Sequence, residues 1–133
     1  MKLCSACLLG VNCKYNGENN LEKASERLLK EYSQGLLIPI CPEQLGGLAT
    51  PREGARIIYG DGNLVLKGKA SLITDISNRD FTKQFLKGAY ETLYIAKNMG
   101  ILEAIFKQRS PSCGCGYTQG GINRTIIEGD GVT

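Results

Sequence analysis

Six cysteines and no histidine define the chemistry open to this chain. Without imidazole there is no Ser-His or Cys-His nucleophile pair, no Cys2His2 finger and no histidine-ligated iron centre. A metal site must therefore be built on thiolates, with carboxylates as further ligands. Proton transfer near neutrality falls to Asp, Glu, Lys, Tyr, Cys or water. Three cysteines share a setting: Cys7 follows the apolar segment 1–6, Cys41 follows 36–40, and Cys113 lies beyond 101–106 in the constrained loop Ser110-Pro111-Ser112-Cys113-Gly114-Cys115-Gly116. A soft thiolate on a rigid turn is a ligand or a nucleophile. Several thiolates close together repel one another until a cation pairs with them, so a shared metal is the natural resolution.

Two ions suit such a site. Structural zinc prefers four ligands on short spacings, and the chain has one such pair, Cys4 and Cys7, which an extended strand points to opposite faces. The same pair as a redox dithiol would need its second cysteine at a helix start, and Gly10 argues against that. An iron-sulfur cluster accepts ligands far apart in sequence. With three protein ligands one iron stays open and acts as a Lewis acid. Cys4 and Cys13 read as buried packing cysteines, yet Cys13 or Cys115 as a fourth ligand would close the site and make a non-catalytic metal-binding module.

The elements that must position these residues alternate. At 133 residues the chain fits one domain, 1–133. It has no apolar run long enough for a membrane span and no signal-peptide order at its start, which predicts a reducing, cytoplasmic setting with no membrane partner. A net charge of +3 with dispersed Lys and Arg suits a small anionic ligand and gives no footprint for direct nucleic-acid binding. Nothing in the pattern assigns an oligomeric state. Asn19 or Asn20, with Glu22, is expected to cap a helix reaching Gln34, its core stripe being Leu21, Ala24, Leu28 and Tyr32. Residues 36–40 read as a fully buried strand, 44–56 as a loop, 57–59 and 64–66 as a hairpin around Gly60-Asp61-Gly62-Asn63, and 70–74 as a strand. Asp80 caps a helix over 81–98 with Phe81, Phe85, Ala89, Leu93 and Ala96 at helical spacing. Strands are expected at 101–106 and, after Gly120-Gly121, at 124–127. The fold class is α/β: a mostly parallel open sheet with helices on its faces, an antiparallel addition from the middle, and a crevice beyond the strand C-terminal ends collecting Cys7, Cys41 and Cys113.

Ser5-Ala6-Cys7-Leu8-Leu9-Gly10 with Cys13-Lys14-Tyr15-Asn16-Gly17, then Cys41-Pro42-Glu43, Gly46-Gly47-Leu48 with Pro51-Arg52, Ser110-Pro111-Ser112-Cys113-Gly114 and Gly129-Asp130-Gly131-Val132-Thr133 resemble, in order, the motifs of the thiouracil desulfidase (TudS) family. The resemblance spans the chain. It implies a single Rossmann-like domain carrying a 4Fe-4S cluster on Cys7, Cys41 and Cys113, an open-iron cluster being readily lost to oxygen. The implied reaction is non-redox desulfuration of thiolated uracil or its nucleotide, such as 4-thiouridine monophosphate, to uracil or uridine monophosphate plus hydrosulfide. Under it Glu43 is the expected general acid or base, Ser110 and Ser112 orient water or substrate, and Lys14, Tyr15 and Arg52 meet a phosphate or stack on a pyrimidine. Two departures stand out: Cys115 occupies a position where the family commonly has another residue, and the sequence stops at the Gly-Asp-Gly motif, where the resemblance leads one to expect a closing C-terminal helix.

Overall fold

The computed structural model describes residues 1–120 and 125–133, with backbone alone over 125–128. In chain order its elements are β1 (Lys2–Ser5), α1 (Glu26–Ser33), β2 (Leu37–Ile40), α2 (Pro42–Leu45), β3 (Ala55–Ile58), α3 (Gly62–Leu66), β4 (Ser71–Thr74), α4 (Thr82–Asn98), β5 (Ala104–Ile105), β6 (Tyr117–Gly120) and β7 (Thr125–Glu128). The mixed α/β character is as expected, but the strands form two sheets rather than one. A parallel sheet has the order β2-β1-β5, and a second, mixed sheet has the order β4-β3-β6-β7, where β3 and β6 are parallel and the β3–β4 and β6–β7 pairs are antiparallel. The antiparallel addition from the middle of the chain is thus the β3–β4 pair. None of the helices among the described residues is long and apolar enough to cross a membrane.

The expected hairpin over 57–66 is overturned by a single side chain. Asp61 accepts a hydrogen bond from the backbone N–H of Leu64 at 3.2 Å and so caps α3, which begins at Gly62. A chain committed to a helical turn cannot fold back as a strand, and β3 pairs instead with β4, Ala55 opposite Thr74. A comparable correction applies near Asn19 and Asn20. Residues Leu21–Lys23 form a separate 3-10 turn, and α1 starts only at Glu26, where Ser25 Oγ accepts from Leu28 N at 3.1 Å. The predicted stripe is therefore broken: Leu28 is buried, while Leu21 and Tyr32 are exposed.

Strand β2 is an edge strand with Pro39 exposed and Ile38 half-buried, not a fully buried run. At an edge the missing N–H of Pro39 costs no ladder bond. The expected loop 44–56 is shortened at both ends by α2 and β3. Helix α4 is close to its predicted span, with Asp80 accepting from Thr82 N at 2.8 Å; Phe85 and Ala89 face the core, as do Gly88 and Thr92, whereas Leu93 is exposed. Of 101–106 the strand keeps Ala104–Ile105, parallel to β1. The last strand starts at Thr125 among the described residues; Gly121 and Arg124 lie outside them.

Two apolar clusters hold these layers. Cys4, Leu8, Leu9, Leu28 and Leu37 pack about the parallel sheet. Ile57, Val65, Leu72, Phe85, Ala89 and Val132 pack between the mixed sheet, α3 and α4. Helices α2 and α4 touch backbone to backbone: a Cβ on Gly88 would lie 1.9 Å from the Pro42 carbonyl oxygen, and one on Gly46 would lie 2.0 Å from that of Gln84. Any side chain there must push α2, and with it Cys41 and Glu43, away from α4. Gly88→Ala is expected to cost about 1–3 kcal/mol, the usual range for an overpacked interior, measured as a lower urea midpoint at unchanged slope.

Candidate active site

Two of the predicted ligands, Cys7 and Cys41, stand just beyond strand ends, whereas Cys113 lies in a turn between β5 and β6. The chain leaves β1 at Ser5 and enters a 3-10 turn, Ala6–Leu9, stopped by Gly10 in the left-handed region at φ 91°. Cys7 sits on that turn; Asn20 donates its side-chain N–H to Cys7 Sγ at 3.3 Å and its backbone N–H to the Cys7 carbonyl at 2.8 Å. Cys41 lies between β2 and α2, with the Gln44 backbone N–H directed at its sulfur. Cys113 is buried in a turn whose hub is Ser110: Ser110 Oγ accepts from the N–H groups of Ser112 and Cys113, both at 3.2 Å, and the Ser110 carbonyl accepts from Gly114 N and Thr118 Oγ1. Ser112 Oγ lies 3.6 Å from Cys113 Sγ, and the Ser5 hydroxyl also bonds that sulfur.

The end of the described chain fastens this turn. Gly131 N, Val132 N and Thr133 N each donate at 2.9 Å, to the carbonyls of Gly114, Pro111 and Ser112. Asp130 Oδ1 accepts from Gly116 N at 2.8 Å, and its Oδ2 accepts from Asn63 Nδ2 at 3.2 Å. The Gly-Asp-Gly motif thus ties the Cys113 turn to the start of α3.

One cavity of about 450 Å³ joins these pieces, lined by residues from both sheets and from α4. All the residues singled out from the sequence line it: Cys7, Cys41, Cys113, Glu43, Ser110, Ser112, Lys14, Tyr15 and Arg52. Cys115 does not. It is exposed and held through its backbone by Gln108, which accepts from Cys115 N at 3.1 Å and donates to its carbonyl. Cys13, read from the sequence as packing with a fourth-ligand alternative, is buried and also lines the cavity beside Cys7 and Cys41, the Cys41 thiol donating to the Cys13 carbonyl at 3.7 Å. Cys4 is packing: it is fully buried in the parallel sheet, its thiol pushed up to about 11 by burial and by Cys7.

The cavity's charges are arranged unevenly. The Cys13 thiol, with Asn20 and the nearby Lys107 and Lys14, lowers Cys7 to about 6 against the cost of its burial. Cys41 is lowered to about 7, chiefly by Cys13 and then by the Gln44 N–H and Arg52, against burial and Glu43. The neighbouring sulfurs of Cys41 and Cys7, and then burial, shift Cys13 strongly upward. Burial pushes Cys113 to about 12 despite its hydroxyl donors. A proton-bearing thiol between two thiolates is how metal-free sulfurs relieve crowding; a bound cation does so more fully. Among the described residues, no three His, Cys, Asp or Glu side chains gather around one point as a single metal ion requires. An iron-sulfur cluster needs no such convergence on one point, because each iron takes its own thiolate.

Comparison with known proteins agrees with that chemistry. The family model for 2-thiouracil desulfurase matches residues 3–133. The chain belongs to that family. Protein YbbK of Bacillus subtilis (strain 168) is 42% identical over 134 residues, spanning 100% of this chain and 86% of that protein. Among solved structures, the 4Fe-4S-dependent thiouracil desulfidase TudS is similar with a TM-score of 0.84 at 33% identity, covering 99% of this chain and 80% of that one.

Within this desulfurase-family chain, the polar side of the cavity is a connected network. Ser110 and Ser112 hydroxyls are 3.0 Å apart, Ser112 Oγ donates to Glu43 Oε1 at 3.1 Å, and Arg52 Nε donates to Glu43 Oε2 at 2.7 Å. Arg52 Nη2 also pairs with Glu43 Oε2 and donates to the Cys13 carbonyl at 3.0 Å, while Nη1 donates to the Ala49 carbonyl and Thr50 Oγ1. The guanidinium is therefore spent on the protein. Sequence reasoning gave no site role to Ser5, Asn20, Lys23, Lys107 and Arg109, all of which line the cavity. The basic Lys107-Gln108-Arg109 run before the Ser110 loop was the one local signal available; Asn20 looked like a helix cap. With side chains 6% and 14% exposed, the Arg52–Glu43 pair is a buried ion pair. Arg52→Met is expected to destabilise the protein by about 3–5 kcal/mol by leaving the buried Glu43 carboxylate without its cation. Arg52→Met with Glu43→Leu should recover at least half of that loss in a denaturant double-mutant cycle.

Proposed function

We propose that this chain is an iron-sulfur-dependent desulfidase that converts thiolated uracil, or its nucleotide, and water into the oxygenated pyrimidine and hydrosulfide. The observation carrying this reading is the convergence on one cavity of Cys7, Cys41 and Cys113 with the Glu43–Ser112 pair. We read residues 1–133 as one Rossmann-like desulfidase domain working in the cytoplasm, where its six unpaired cysteines stay reduced.

Cys7, Cys41 and Cys113 would hold a 4Fe-4S cluster. Such a cluster, when bound, supplies a Lewis-acidic iron without a protein ligand, to which a thiocarbonyl sulfur is matched by softness. The protein does the rest. Glu43 is the proton carrier: its Oε1 faces Ser112, and Arg52 holds its other oxygen, so the carboxylate stays fixed beside the Cys113 turn as a base for an attacking water. Ser110 and Ser112, 3.0 Å apart, orient that water through hydroxyls that both donate and accept. The net change is replacement of C=S by C=O: water supplies the oxygen, and the substrate's sulfur leaves as hydrosulfide with one of the water protons, the other being released.

Lys14, Lys23, Lys107 and Arg109 line the same cavity and have no carboxylate partner among the described residues. Burial lowers the Lys107 pKa, with Lys23 the next cause. Unpaired cations around a half-open cavity favour an anionic substrate, which supports a nucleoside phosphate over the free base. Tyr15, at the exposed side of the cavity, offers a face for the pyrimidine. Arg52, expected to contact substrate, serves instead to hold Glu43, and the phosphate falls to the lysines.

Anaerobic reconstitution should give about four irons per chain and hydrosulfide release from 4-thiouridine monophosphate. Loaded protein that releases none would leave only a closed metal-binding module, with Cys13 its fourth ligand. Glu43→Gln should keep the iron and lower turnover by about 100-fold or more, the range for loss of general acid-base catalysis; unchanged turnover removes Glu43 from the reaction.

A further inference from the structure

Asn20 is 3% exposed, yet it caps nothing with its side chain. The N–H of Lys23, which a cap's side chain would accept, goes to the Asn20 backbone carbonyl at 2.9 Å. Asn20 instead turns toward Cys7, gripping it twice: Nδ2 to Sγ at 3.3 Å and backbone N–H to the Cys7 carbonyl at 2.8 Å. Its Oδ1 is buried with no hydrogen-bond partner. Leaving a buried acceptor unpaired costs about 1–3 kcal/mol, and the amide bears that cost in the orientation that presents a donor to sulfur. A hydrogen bond to a charged acceptor is roughly twice as strong as a neutral one, so the orientation is explained by a sulfur that works as a thiolate.

We propose that Asn20 is a positioning residue for the iron-sulfur centre, its side-chain amide donating to Cys7 Sγ while that sulfur ligates iron; the proposal rests on the cluster reading above. Two consequences follow from the geometry. The double grip fixes the Cys7 side chain before metal arrives, so less rotamer freedom is lost on loading. The donor also draws electron density from the iron-sulfur bond, which favours the reduced cluster and sharpens the acidity of its irons. The other ligands are less open to this test. Cys41 takes a backbone N–H from Gln44, which a side-chain substitution leaves in place, and the Ser112 donor to Cys113 is shared with Glu43.

The test uses the full chain reconstituted anaerobically, with Asn20→Leu, close in shape without a donor, and Asn20→Asp, which sets a carboxylate against the thiolate. Iron loss to a chelator is expected to be about 10- to 100-fold faster in Asn20→Leu, the usual cost of an outer-shell change, and faster still in Asn20→Asp. The midpoint potential of the cluster in Asn20→Leu should move to more negative values. An unchanged potential together with unchanged iron loss overturns the proposal. Should either variant fail to fold as judged by circular dichroism, wild-type protein labelled with 15N-asparagine decides the matter. Pulsed EPR of its reduced cluster should show coupling to an amide nitrogen, and absence of that coupling overturns the proposal. Wild-type protein that takes up no cluster overturns the parent reading, a failure seen before any variant is compared.

Discussion

The buried contact between Arg52 and Glu43 organises the site. Arg52 receives the chain from one side, its backbone N–H donating to the Tyr15 carbonyl at 2.7 Å and its Nη2 to the Cys13 carbonyl at 3.0 Å. Glu43 passes the connection on through Ser112 to the turn bearing Cys113. Three loops distant in sequence, those of Cys13, Cys41 and Cys113, are thus joined by one guanidinium and one carboxylate. Arginine suits the post better than lysine because its planar fork presents several donors in fixed directions. A pair this buried contributes little net stability against well-packed apolar residues; what it contributes here is the relative placement of loops.

Electrostatics then separates the cavity into two regions. Around the sulfurs, donors accumulate: the Asn20 amide on Cys7, the Gln44 N–H on Cys41, and the hydroxyls of Ser5 and Ser112 on Cys113. A group of donors aimed at sulfur has little purpose around neutral thiols, which are weak acceptors, and much around thiolates. The other region carries Lys14, Lys23, Lys107 and Arg109, which raises the local concentration of anions at the mouth. Glu43 brings negative charge into this setting only because Arg52 neutralises it.

The contents of the site were more legible in the sequence than its frame. Cys7, Cys41 and Cys113 could be grouped because each followed an apolar segment; Cys7 and Cys41 do stand just past strands, while Cys113 reaches the cavity from a turn further along the chain. The existence of two sheets was not legible, since strand order depends on long-range pairing that a local pattern does not encode. The hairpin over 57–66 failed because Gly60-Asp61-Gly62-Asn63 is turn chemistry in composition, whereas Asp61 followed three residues later by Leu64 is also a helix start; tertiary packing of Val65 settled it. Cys13 and Asn20 were only partly legible for a shared reason. Their local settings fit a packing thiol and a cap, and their actual partner, Cys7, lies six and thirteen residues away around a turn that no periodicity describes.

The division into two sheets bears on the chemistry because it sets the cavity between two independently packed layers. Ser5 and Ile40, at the ends of β1 and β2, come from the parallel sheet, while Ala55 and Gln119 come from the mixed sheet and Phe85 from α4. The layers are kept in register by contacts that admit no side chain: Gly88 against Pro42, Gly46 against Gln84, and Gly131 against Ser112, where a Cβ would lie 2.7 Å from backbone atoms. Backbone packed on backbone has a single well-defined separation, unlike side chains that repack. Cys41 rides on the first of these contacts through α2, and Cys113 on the last through the Gly129–Val132 segment. The placement of Cys41 and Cys113 is therefore set in part by glycines packed against the backbone beside them, and these glycines, as much as the cysteines, give the site its shape.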